Sequence, residues 1–100
     1  MTGFVYLWEF QVKPGLEAEF ELHYGPGGTW AQLFHGSPDF IETLLLKDKA
    51  VPGRYITVDH WRSEAAYQAF RSAFTPQYGK LDKECEQLTV NERLLGTYTT

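Results

Sequence analysis

The residues best equipped for chemistry fall on one short run, Arg54 to Trp61 (RYITVDHW). Its β-branched and aromatic composition predicts a strand. Alternation along a strand puts Tyr55, Thr57, Asp59 and Trp61 on one face and Ile56 and Val58 on the other. A phenol, a hydroxyl, a carboxylate and an indole therefore look the same way. A carboxylate among aromatic rings is costly to bury unless it is paired or hydrogen-bonded. Asp59 thus reads in two ways: as a polar anchor or proton acceptor in an aromatic pocket, or as a structural bridge to Arg62, Arg71 or a tyrosine hydroxyl. A second run, Phe4 to Val12 (FVYLWEFQV), places Phe4, Tyr6, Trp8 and Phe10 on one face. If the two runs are neighbours, Trp8 and Trp61 either form a platform for a planar ligand or simply fill the core. Further along, the segment opened by Thr75-Pro76 carries Tyr78. Asp59, Trp61 and Tyr78 are the candidates for catalysis. Tyr6, Trp8, Tyr55, His35 and Phe74 are the candidates for holding substrate. His35 has a plainer role open to it, because a histidine at a helix C-terminus is stabilised by the helix dipole.

Other chemistries lack their residues. His23, His35 and His60 share no metal-ligand spacing, so no metal is expected. No Ser/His/Asp or Cys/His arrangement emerges. Gly25–Gly28 lacks the strand-before, helix-after context of a phosphate loop. Cys85 falls in an apolar stripe and is expected to be inert core; a single cysteine forms no internal disulfide.

The elements that must position these residues follow in order. Lys13-Pro14-Gly15 ends the first strand. Leu16, Phe20 and Tyr24 then repeat at helical spacing, and Gly25-Pro26-Gly27-Gly28 breaks that helix. Thr29 is placed to cap a short helix bearing Trp30, Leu33 and Phe34, closed by Gly36. Phe40–Leu46 and Arg54–Trp61 make a hairpin around Pro52-Gly53. Ser63 caps a helix with Ala66, Tyr67, Phe70 and Phe74 inward. Thr75-Pro76 reads as cap and first helical residue of another, with Tyr78, Leu81, Cys85 and Leu88 in its stripe. Arg93–Tyr98 suits a short last strand. The order β-α-β-β-α-β predicts a single α+β domain over residues 1–100. It has the ferredoxin-like split β-α-β topology: a four-stranded antiparallel sheet, helices on one face, first and third strands central.

The helix-free face should then carry Val5, Leu7, Ile41, Leu45, Ile56 and Val58. Six aliphatic side chains exceed the apolar patch a monomer usually exposes, which predicts a homodimer packed through the sheet. Composition narrows the partners further. The chain of 100 residues is 43% hydrophobic and 16% aromatic with a net charge of −4, and its cations are scattered. No basic stripe offers itself to nucleic acid. No run suits a membrane span or a signal peptide, so a cytoplasmic protein is expected.

The first strand ending in KPG, the segment SPDFIETLLLKD and the segment WRSEAAYQAF together resemble the antibiotic biosynthesis monooxygenase (ABM) superfamily of dimeric α/β barrels. The resemblance implies a ferredoxin-like fold, a dimer, and activities that include cofactor-independent quinone-forming oxygenation and heme degradation. The heme-degrading branch shares the tryptophan here numbered Trp61. It uses an asparagine on the first strand and an axial histidine on the second helix, where this chain has Trp8 and Tyr78. Those departures argue against heme, although a tyrosinate can ligate heme iron. The leading expectation is a monooxygenase acting without cofactor on a small planar aromatic or phenolic compound. The alternative is a non-catalytic dimeric barrel that binds a small hydrophobic ligand.

Overall fold

The computed structural model describes residues 3–100 of the protein. Four strands form one antiparallel sheet: β1 (Phe4–Val12), β2 (Phe40–Lys47), β3 (Arg54–Trp61) and β4 (Thr89–Thr99). Their spatial order is β2-β3-β1-β4, so β1 and β3 are central as the split β-α-β order requires. Helices α1 (Glu17–Tyr24) and α2 (Thr29–Phe34) follow β1, while α3 (Glu64–Ala73) and α4 (Thr75–Cys85) follow β3. A single 3-10 turn, Glu86–Leu88, leads into β4.

The helix starts are only partly those predicted. Ser63 does cap α3, its Oγ accepting the Ala66 N–H at 3.1 Å. Thr29 is not a cap: Gly28 takes that position, and the Thr29 hydroxyl lies 2.9 Å from His23 Nδ1. Thr75 is likewise the first helical residue, after Phe74 as cap, and its hydroxyl turns back to donate to the Arg71 carbonyl at 2.7 Å. Thr75 satisfies its hydroxyl on the last turn of α3 and Thr29 its own on a side chain of α1, and neither caps the next helix. The last strand is also longer than the expected Arg93–Tyr98, because residues 89–92 extend the pairing along β1 at one end and Thr99 at the other. In the β2–β3 loop Gly53 adopts φ +77°, and its carbonyl accepts the Val12 N–H at 2.8 Å. That positive φ suits glycine, and it ties the hairpin to the end of β1.

The register of β1 on β3 is regular, Tyr6 facing Asp59, Leu7 facing Val58 and Trp8 facing Thr57. The register of β2 on β3 is not. Phe40 pairs with Trp61 but Glu42 pairs with His60, leaving Ile41 as an extra residue. A residue inserted this way reverses the alternation beyond it. Thr43 and Leu45 therefore turn toward the helices, and Leu44 and Leu46 turn to the helix-free face. Leu45 was expected on that free face, and the insertion is why it is not. The face still carries Val5, Leu7, Ile56 and Val58, joined by Leu44, Leu46 and Tyr98, which are 45%, 49% and 50% exposed.

Between sheet and helices lies a core built largely of rings. Phe20 stacks on Tyr24 at 4.2 Å, and Trp61 sits among Phe34, Phe40, Tyr67 and Phe70 at centroid distances of 5.1–5.5 Å. Trp61 is fully buried. Trp61→Ala is expected to cost roughly 3–5 kcal/mol, as truncation of a core tryptophan does. Chemical denaturation measures it, and a loss under 1 kcal/mol would contradict the packing.

Candidate active site

The sheet and the helices do not close on each other everywhere. A half-open cavity of about 270 Å3 separates them. Its floor is the sheet: Tyr6, Trp8 and Phe10 from β1, Thr43 from β2, Thr57 and Asp59 from β3, and Glu92 from β4. The helices supply its walls: Tyr24 from α1, Trp30 and Phe34 from α2, Arg71 from α3, Tyr78 and Asp82 from α4. Its volume is close to the lower end of ordinary small-molecule sites, about 300–1,000 Å3, and its mix of rings with a few polar groups is typical of them.

Asp59 is the polar centre of the floor and is 7% exposed. Its Oδ1 accepts the Thr43 hydroxyl, a contact made possible by the extra residue in β2. No Lys, Arg or His among the described residues forms an ion pair with it. Burial pushes its carboxyl up from the usual range to about 6, and the Thr43 hydrogen bond only partly offsets this. Such a group accepts a proton readily near neutral pH.

The other polar groups have different settings. Arg71 lays its guanidinium 3.9 Å from the centroid of the Tyr78 ring and donates to the Tyr67 hydroxyl at 3.0 Å. It belongs to this aromatic cluster and does not bridge to Asp59. Tyr6 accepts the Trp61 indole N–H at 3.4 Å. Burial raises the Tyr6, Tyr24 and Tyr78 phenols well above their ordinary value, so all three stay protonated and keep an O–H to donate. Glu92 is also raised, first by desolvation and then by the charges of Asp82 and Glu86.

The family model of antibiotic biosynthesis monooxygenases matches residues 4–80. The chain belongs to that family. The matched stretch of this ABM domain contains every residue of the cavity wall and floor except Asp82 and Glu92. Among solved structures it is similar to SnoaB, a cofactor-independent oxygenase from Streptomyces nogalater. The two are 22% identical with a TM-score of 0.75, over 100% of this chain and 94% of that one. Protein SO0527 from Shewanella oneidensis is 17% identical with a TM-score of 0.72, over 99% and 91% of the two chains. A conserved protein from Methanosarcina mazei is 12% identical with a TM-score of 0.70, over 100% and 92%. At these identities the likeness is one of fold. No curated protein matches the chain.

The ABM fold thus gathers four of the residues singled out from sequence: Asp59, Tyr78, Tyr6 and Trp8. The other four lie elsewhere. Trp61 is sealed in the core beside the cavity, so it makes no platform with Trp8. Tyr55 sits at the far end of β3, where its hydroxyl donates to Glu21. His35 follows α2 and packs edge-on against Phe40 at 4.8 Å, and Phe74 stacks on Phe70 at 4.8 Å. Sequence reasoning missed Thr43, Thr57, Tyr24, Trp30 and Arg71 as cavity residues. Tyr24 and Trp30 were visible only as members of apolar helix stripes, and nothing local marked Thr43.

Proposed function

We propose that this ABM-family protein is a monooxygenase that needs no cofactor and acts on a small planar phenolic or hydroxyanthrone-like compound. The observation that carries the reading is Asp59: a buried carboxyl without a cationic partner among the described residues, on the floor of a ring-lined cavity, with its proton affinity set near neutrality. Flat aromatic walls select a flat aromatic ligand. Asp59 then removes the acidic proton of an anthrone-like carbon or its enol, leaving an electron-rich anion. That anion reduces O2, oxygen becomes bonded to the ring carbon, and loss of water from the resulting peroxide leaves the quinone. One O2 is consumed; one of its atoms enters the product and the other leaves as water. Protonated phenols around the cavity stabilise the anion without quenching it. Membership of the family and the likeness to a cofactor-independent oxygenase support the same reading.

Oxygen uptake with a panel of hydroxyanthrones and hydroquinones tests it. Turnover is expected without added metal or flavin. Its rate should rise with pH through about 6 as Asp59 loses its proton, because only the carboxylate is a base. Complete silence across the panel, or a rate that falls through that range, would reject it. The chain is further proposed to work as a homodimer in the cytoplasm, joined through the apolar helix-free face of the sheet.

A further inference from the structure

Of the nine lysines and arginines in the chain, only Arg71 lines the cavity among the described residues. It stands in the last turn of α3, exposed at the cavity mouth, and rings hold it in place. Its guanidinium lies 3.9 Å from the centroid of Tyr78, and one N–H is committed to the Tyr67 hydroxyl at 3.0 Å. The phenols around it are those of Tyr67, Tyr78 and, from the floor of the cavity, Tyr6. A guanidinium carries five N–H donors in one plane. Stacking covers the face of that plane and leaves its edge, so most of the donors stay free. No carboxylate takes them: the ion pairs among the described residues are Lys47–Glu21, Arg62–Asp39 and Arg93–Glu9. Asp82 on α4 and Glu92 on β4 also line the cavity and are exposed at its mouth, yet neither pairs with Arg71. The helix dipole favours a cation at the end of α3, but any cation satisfies it without reaching the cavity.

We infer that Arg71 is a specificity-determining residue of this cavity, the edge of its guanidinium taking a carboxylate that the aromatic ligand carries opposite its acidic position. The inference rests on the proposed aromatic ligand and narrows it to a planar phenolic acid. Asp59 stands on the sheet at the floor and Arg71 on a helix at the mouth, so the two ends of the ligand meet groups of opposite charge. The guanidinium fork matches a carboxylate through two parallel N–H···O bonds. A plane already fixed by Tyr78 and Tyr67 loses little freedom in making them. Asp82 and Glu92 repel the same carboxylate, which leaves the α3 side of the mouth as its place.

The test uses 6-hydroxy-2-naphthoate and 2-naphthol, flat two-ring phenols that differ in one carboxylate, with the wild-type protein and Arg71→Gln. Titration should show that wild type binds the acid about tenfold more tightly than the naphthol, the worth of a charge-assisted hydrogen bond at an open mouth. That preference should shrink as salt rises from about 0.02 M to about 0.5 M, because exposed charges are screened. These wild-type measurements need no variant to fold. Arg71→Gln should lose the preference and still bind the naphthol within about twofold of wild type. A wild type that binds the two alike or favours the naphthol, a preference indifferent to salt, or a variant that keeps the preference would overturn the role of Arg71 and leave the proposed aromatic ligand standing. Failure of wild type to bind either probe would overturn both.

Discussion

Asp59→Asn is expected to lower oxygen uptake on the order of a hundredfold or more, the usual contribution of a positioned general base. Asparagine has the same shape and its carbonyl can still accept the Thr43 hydroxyl, so the floor of the cavity should survive. What disappears is the ionisable group. The same variant should change the pH dependence of stability, with a sign fixed by the direction of the shift. The folded-state value lies near 6, above the ordinary 3.8, so the native chain holds this proton more tightly than the unfolded chain. Wild type therefore loses stability as pH rises from about 4 to about 6, and the loss is complete above that. A shift of this size corresponds to on the order of 2–3 kcal/mol. Asp59→Asn lacks that slope, so its stability relative to wild type should improve between pH 4.5 and pH 8. Urea denaturation at the two pH values measures the difference. A variant that turns over normally would end the role of Asp59 as base; a relative stability equal at both pH values would show that the carboxyl is not desolvated.

Wild type should sediment as a dimer at micromolar concentration, and Leu7→Glu as a monomer of much lower stability. Leu7 is half-buried in the central strand β1, with Val58 on one side and Gly96 on the other. Around it the same face presents Leu44, Leu46 and Tyr98 to the outside. A glutamate in the middle of that surface must either stay charged against apolar neighbours or take up a proton, and several kcal/mol stand against each. Because a dimer stabilises its folded protomers by mass action, dissociation and loss of melting temperature should appear together. Analytical ultracentrifugation decides the matter, and a monomeric wild type would remove the dimer altogether.

Periodicity made the fold legible. Alternation identified β1 and β3 and assigned their faces, and the order of elements determined the sheet topology. The candidate site was legible only where it lay on those regular strands: Tyr6, Trp8 and Asp59 are floor residues whose orientation follows from counting by two. Tyr55 and Trp61 share that face, yet position along the strand, which alternation does not report, takes one to the far end and seals the other in the core. The walls were harder. A tyrosine or tryptophan on an apolar helix stripe looks the same whether it meets another side chain or an empty space, so Tyr24 and Trp30 read as core. Arg71 read as a possible partner for Asp59 because charge complementarity says nothing about reach.

The extra residue at Ile41 acts as a phase shifter for β2. Upstream of it Phe40 joins the ring-filled core; downstream the strand runs in opposite phase, so that a hydroxyl meets Asp59 and two leucines meet the outside. Pairing Ile41 regularly, with no residue left over, would exchange the two surfaces in a single event, sending Leu44 toward the helices and Thr43 toward the proposed partner subunit. The carboxyl would lose its hydrogen bond, and Leu44 and Leu46 would leave the free face to Ile41 and Leu45 at the same time. Proton affinity in the cavity and the make-up of the back of the sheet are thus wired to one backbone irregularity, and a lineage that lost the bulge while keeping β2 at its length would have to rebuild the contact to Asp59.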